Sequence, residues 1–361
     1  MRIPTIAEAS QEIAAGRLSP VALAEACLAR IDRGEPRLHA FIKLTAEAAL
    51  AAAREAERAI KAGRSKGPLH GIPFAHKDIY ATAGLATTAH SRLLQDHVPE
   101  ENAFAVERLA TAGVLLFGKL ATHEFAWGGP SFDLPWPPAR NPWNPEHFSG
   151  GSSSGTGAAV AAGFVLGGTG SDTGGSIRLP AAFCGLAGIK PTYGLVSRTG
   201  IQPLAFTLDH AGPLAWTVED CAMLLEAMAG HDPRDPASAN VPTPALREKL
   251  DMGVDGLRIG VLRHFYEIDT SVAPEVGAAM AETIRTFERL GAKVSDAMLP
   301  PLQDWYAVGM LIMVAEAYSV HEPWLKTRFN DYGELFRDRV ALGAFISSAD
   351  YMAAVRMRRE L

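Results

Sequence analysis

Apolar residues recur at helical spacing in several windows of this chain and collapse into short apolar runs in others. Thr5 with Glu8 has the form of a capping box, which predicts a first short helix. Ser19 before Pro20 supplies an N-cap and an N1 proline for a helix over about 21–32. Thr45–Ala62, alanine-rich with interspersed Glu and Arg, predicts a surface helix. Ile72–His76, beside Gly71, reads as a short buried strand. Ala103–Thr111 predicts a helix stopped by Gly113, and Val114–Phe117 a strand after it. Leu257–Leu262 and Ala292–Val294 read as strands separated by a helix over about 274–290. Alternation of this kind argues for an α/β fold with layers around a mostly buried sheet. Residues 231–249, rich in Pro and Asp, predict a long surface loop, and the Pro- and Gly-rich stretch 141–150 predicts no strand.

Composition narrows the function classes. With 48% hydrophobic and 20% charged residues, the 361-residue chain has an ordinary soluble make-up and can bury a large core. A net charge of −6 without a basic block argues against nucleic-acid binding. Cys27, Cys184 and Cys221 are odd in number and far apart, which gives neither a disulfide framework nor zinc spacing and points to a reduced, cytoplasmic setting. The first residues hold no apolar stretch of a secretory signal. Apolar runs such as Ala158–Leu166 fall short of the ~20 residues of a membrane span, so no membrane association is expected. His123-Glu124 lacks the second His of a zinc protease, so no metal is expected. Gly113–Lys119 has the glycine and lysine spacing of a phosphate-binding loop, but it lacks the Ser/Thr and its middle is apolar; no cofactor is expected.

Residues 148–178, FSGGSSSGTGAAVAAGFVLGGTGSDTGGSIR, carry the chemistry. Two Gly/Ser clusters, 150–155 and 172–176, flank a run of small residues, as expected of two loops joined by one packed element and meeting at one reaction centre. These clusters, with GIPFAHKDIY at 71–80 and CGLAGIKPTYGLVSRTGI at 184–201, resemble the amidase-signature family of serine hydrolases, and the resemblance is collinear from about residue 5 to the end.

The resemblance implies a single domain over 1–361, with a large, mixed, twisted central sheet covered by helices on both faces. It also implies that family members continue past the point where this chain stops, completing the sheet and one wall of the substrate pocket. Ser176 is the candidate nucleophile, and the N–H groups of Thr173, Gly174, Gly175 and Ser176 are the candidate oxyanion site, since successive amides at a small-residue turn can converge on one oxygen. By resemblance Ser152 is the relay serine, preceded by a cis Gly151–Ser152 bond, and Lys77 is the base. A lysine is ordinarily protonated, with a pKa near ~10.4, and burial lowers it toward a neutral base. Ser153, Asp172 and Arg178 are implied to hold the two loops, with a carboxylate-binding role as the alternative for Arg178. The aromatic segment 121–148 leads into the relay loop, so Phe125, Trp127 and Gly128 are expected substrate contacts, whereas Trp136 and Trp143 are expected to pack the segment onto the core.

The favoured reading is a stand-alone amidohydrolase that uses water to cleave a linear small-molecule amide, or an ester or carbamate, and is compatible with a homodimer. Two alternatives compete. Some family members are A subunits of tRNA-dependent amidotransferases, which hydrolyse glutamine and pass ammonia to a partner; this chain has Ala121-Thr122-His123 where that subgroup usually carries Met-Asp before Glu-Phe-Ala. Gly151–Gly155 also fits the G-x-S-x-G elbow of α/β-hydrolases, which would make Ser153 the nucleophile with Asp209 and His210 as partners.

Overall fold

The structure, a computed structural model, describes residues 2–361. The chain divides into two compact units. The first comprises the chain through Arg247 together with Glu316–Ala344; the second comprises Glu248–Ala315 and Phe345–Leu361.

The first unit is built on a six-stranded mixed sheet in the order β1-β3-β2-β6-β8-β7. Its strands are β1 (Phe41–Leu44), β2 (Pro73–Lys77), β3 (Leu115–Leu120), β6 (Gly167–Asp172), β7 (Ala187–Gly188) and β8 (His210–Ala215). β2 runs parallel to both β3 and β6, while β8 runs antiparallel to β6. A small antiparallel ribbon, β4 (Arg140–Asn141) and β5 (Asn144–Phe148), stands where the sequence predicts no strand. Asn144 and Asn141 side chains accept from nearby backbone N–H groups, so local turns supply the order that the prolines conceal.

Helices α1 (Ile6–Ala14), α2 (Pro20–Leu38), α3 (Ala46–Lys61), α4 (Phe104–Ala112), α5 (Ser154–Ala161), α6 (Arg178–Cys184) and α7 (Val218–Met228) complete most of this unit. α1 carries the predicted Thr5–Glu8 capping box, and Ser19 caps α2. α2, α3, α5 and α7 pack on the sheet. α3 turns only Ala49, Ala53 and Ala56 inward, as its alternation of Ala with charge dictates.

β2 is buried throughout, His76 included, which explains the apolar run Ile72–Ala75 that leads toward Lys77. β6 is also buried throughout although it reads Gly-Gly-Thr-Gly-Ser-Asp. Its small residues let α5 lie close: a Cβ on Gly168 would sit 2.7 Å from Thr156 Cγ2. On the other side of α5, a Cβ on Gly155 would meet Ala121 N and Ala40 O, each at 2.4 Å. The element joining the two Gly/Ser clusters is therefore a helix followed by a strand.

In the second unit, β9 (Arg258–Val261) and β10 (Lys293–Asp296) pair in parallel, and α8 (Arg263–Glu267) and α9 (Pro274–Arg289) lie between them in the chain. The predicted strand–helix–strand order is present there. α10 (Leu302–Thr327) contributes residues to both units, α11 (Glu334–Val340) belongs to the first and α12 (Ser348–Glu360) to the second. The 231–249 stretch turns its two aspartates inward: Asp232 and Asp235 are buried, accepting from Ser197 Oγ at 2.8 Å and Arg198 N at 2.8 Å. No helix among the described residues is long and apolar enough to cross a membrane.

Candidate active site

Lys77 ends β2 and is fully buried. Its N–H donates to Thr169 Oγ1 of β6 at 2.9 Å, which fixes the strand end. Nζ reaches Ser152 Oγ at 2.7 Å and Ser171 Oγ at 2.8 Å. Burial pushes its pKa down to about 7, against the pull of the Asp172 and Asp209 carboxylates.

Ser152 sits in the loop before α5, and the Gly151–Ser152 peptide bond is cis. Its carbonyl accepts from His123 N at 3.1 Å and Ser154 N at 2.8 Å. The His123 ring lies against Gly151, where a Cβ would fall 2.0 Å from Cε1. Only glycine fits there. Burial, reinforced by the charge of Lys77, pushes the His123 pKa down to about 3, so the ring is neutral.

Ser176 lies in the turn from β6 into α6. Asp172 holds this turn: its carboxylate accepts from Gly175 N at 2.7 Å and Ile177 N at 3.1 Å, and pairs with Arg178 through Nε at 3.0 Å and Nη2 at 2.8 Å. Arg178 thus spends its fork on Asp172. Ser153 N donates to Ser176 O at 3.2 Å, tying the two loops together. Because the Gly175 N–H is taken by a carboxylate, it leaves the expected oxyanion set. The N–H groups of Thr173, Gly174 and Ser176 take no acceptor among the described residues.

A cavity of about 210 Å³ opens beside Ser171 and Thr173. Ile201, Pro203, Leu204 and Phe206 form its apolar wall. Arg198 also lines it, but its guanidinium is held by Asp235, with Nη2–Oδ1 at 3.0 Å, and stacks over Tyr193 at 4.9 Å. Of the 121–148 segment only Ala126 reaches this cavity. The expected contacts lie elsewhere. Phe125 is fully buried in an aromatic cluster, 4.4 Å from His321 and 5.3 Å from Phe336. Trp127 meets Phe336 edge-on, and Gly128 lies by Leu335 and Phe336. Trp143, expected to pack on the core, is instead 68% exposed and is tied to the surface by its Nε1–H, which donates to Cys184 O at 2.8 Å.

The geometry does not fit the elbow alternative. Ser153 Oγ is fully buried and bonds the backbone of Ser171, while His210 Nδ1 turns to Leu208 O at 2.6 Å. Ser171 escaped the sequence reading. Its one available signal is its place immediately before Asp172, where strand alternation turns it away from the Asp172 side chain. No group of three or more His, Cys, Asp or Glu among the described residues could hold a metal ion.

This sheet, with a buried lysine facing two Gly/Ser loops, defines the amidase-signature class of enzymes, and the chain belongs to it: the family model described as Amidase matches residues 22–361. Its individual relatives include the A subunits of glutamyl-tRNA(Gln) amidotransferases. That of Chloroflexus aurantiacus is 43% identical over 376 residues, covering 99% of this chain and 76% of that protein. That of Methylococcus capsulatus is 40% identical, covering 100% and 78%. Among solved structures, a protein from a vestigial complex tied to the origins of an s-triazine catabolic enzyme matches with a TM-score of 0.92 at 36% identity, covering 99% and 77%. The peptide amidase of Stenotrophomonas maltophilia matches with a TM-score of 0.86 at 33% identity, covering 99% and 79%. Both sequence relatives belong to the amidotransferase class, which the sequence reading set second.

Proposed function

We propose that this chain hydrolyses a carbon–nitrogen amide bond through an acyl-Ser176 intermediate. The observation that carries the reading is Lys77: fully buried, bonded through Nζ to two serine hydroxyls, and with no carboxylate within 4.0 Å among the described residues. A charged ammonium without a paired anion is costly there, whereas a neutral amine is a base. Lys77 takes the Ser152 proton as Ser152 takes that of Ser176, whose Oγ attacks the carbonyl. The free N–H groups at 173, 174 and 176 receive the developing oxyanion. Ser152 returns a proton to the departing nitrogen, and water then attacks the acyl-serine ester by the same relay.

For the amide itself, similarity supports glutamine, with the released ammonia passed to a partner protein, because the relatives at 40–43% identity are amidotransferase A subunits. A second reading, a free hydrolase of apolar amides, rests on the cavity wall of Ile201, Pro203, Leu204 and Phe206 and on an Arg198 already committed to Asp235. The test has two arms. A fluorophosphonate adduct located by peptide mass at Ser176 supports the mechanism; an adduct at Ser153 overturns it. Turnover of aryl amides by the chain alone, with none of L-glutamine, selects the second reading; glutamine hydrolysis selects the first.

A further inference from the structure

We propose that Asp209 is a positioning residue: its carboxylate fixes the Thr173 end of the nucleophile turn to the wall of the substrate cavity. The inference rests on the reading of Ser176 as nucleophile.

Two carboxylates bracket the turn. Asp172 holds its far side through Gly175 and Ile177, but nothing from Asp172 reaches Thr173. Thr173 Oγ1 instead donates to Asp209 Oδ1 at 2.5 Å. The other donors to Asp209 come from the segment that carries the cavity wall: Leu204 N, whose residue lines the cavity, at 2.9 Å, and the buried Ala205 N at 3.0 Å, both to Oδ2. Asp209 itself is set by the sheet, because the next residue, His210, pairs with Asp172 in the β6–β8 register. One carboxylate therefore joins three things that catalysis needs in fixed relation: the sheet, the first amide of the candidate oxyanion site, and the wall that Leu204 and Phe206 present to substrate. No cation lies within 4.0 Å of it among the described residues, so its charge is met by the Thr173 hydroxyl and the two amides.

The charge also acts at a distance. Asp209 and Asp172 both favour the protonated form of Lys77, and Arg198 acts on Asp209 in the opposite sense to burial. His123, the other titratable ring near Lys77, is neutral. His210 turns its Nδ1 to backbone carbonyls, and Lys190 lies near it.

The experiment measures the rate at which a fluorophosphonate labels Ser176 across pH. In that step the Ser176 oxygen–phosphorus bond forms, the phosphorus–fluorine bond breaks, fluoride leaves, and the serine proton passes through Ser152 to Lys77. Asp209→Asn removes the charge and turns one acceptor into a donor. The expected result is a maximal labelling rate lowered by about tenfold, with reagent affinity changed little, since a misplaced oxyanion donor acts on the transition state. The pH midpoint moves down, because one anion near Lys77 is gone. Thr173→Val reproduces the rate loss and Thr173→Ser restores it. Unchanged rate and midpoint in Asp209→Asn, or full-rate labelling in Thr173→Val, overturns the inference. If Asp209→Asn does not fold, the Thr173 pair decides alone. Absence of any label at Ser176 in the parent protein defeats the underlying reading instead.

Discussion

Replacing Lys77 with methionine should make the protein more stable, and by an amount that depends on pH. Burial holds the Lys77 pKa at about 7 in the folded chain, against 10.5 for the unburied group. At about 1.4 kcal/mol per pH unit, that gap corresponds to a penalty of about 5 kcal/mol when both states are protonated. Below pH 7 the whole penalty is present. Between pH 7 and 10.5 the unfolded chain binds the extra proton, so stability rises with pH and the penalty fades. Lys77→Met abolishes it at every pH but also strands the Ser152 and Ser171 hydroxyls, at about 1 kcal/mol each. The net gain should be about 2 kcal/mol at pH 7 and close to nothing at pH 9. Urea denaturation of both proteins at several pH values between 6 and 9 reads the difference directly. A difference that stays flat over this range would show that Lys77 is not held neutral, and the proposed base would be lost with it.

The same group sets the activity profile: amide hydrolysis and Ser176 labelling should rise with pH through a midpoint near 7, as Lys77 loses its proton, and a rate that falls over this range contradicts the assignment. Ser152→Ala should slow hydrolysis of an anilide more than that of its matched phenyl ester, because the amine must be protonated to leave; equal losses would reduce Ser152 to packing. Gly155→Ala should cost at least about 2 kcal/mol in a denaturation experiment, since its methyl would meet the backbone of Ala121 and Ala40, and a parent-like midpoint would refute the close approach of α5.

The sequence shows those elements whose side chains announce their surroundings. Capped helices α1 and α2 and the buried β2 are legible because Thr5, Ser19 and the apolar residues before Lys77 each act locally. β6 is not, because Gly-Gly-Thr-Gly-Ser-Asp has no strand propensity and is held in the sheet by its neighbours. Lys77, Ser152 and the cis Gly151–Ser152 bond come from the resemblance and meet in space as it implies. Gly175 and Phe125 differ from expectation for one reason: a sequence shows which groups are available but not which are already occupied. The Gly175 amide is taken by Asp172, and the Phe125 ring by residues about 200 positions later in the chain. Ser171 and Asp209 are the reverse case, ordinary residues given importance by a strand register.

The thinness of β6 has a consequence for anyone who would remodel this enzyme. Where Gly168 and Gly155 stand, the distance between layers is set by hydrogen atoms, and the smallest possible addition collides with backbone or with a packed neighbour. Randomised libraries drawn from residues 150–176 should yield mostly insoluble clones and few altered activities. The segment 201–206 borders open space, bonds the backbone of Ile79 and Tyr80 through Gln202 and Ile201, and reaches the Gly/Ser turn at 173 through the Asp209 carboxylate. New substrate preferences should therefore be sought there, where a changed side chain alters what fits without moving what reacts.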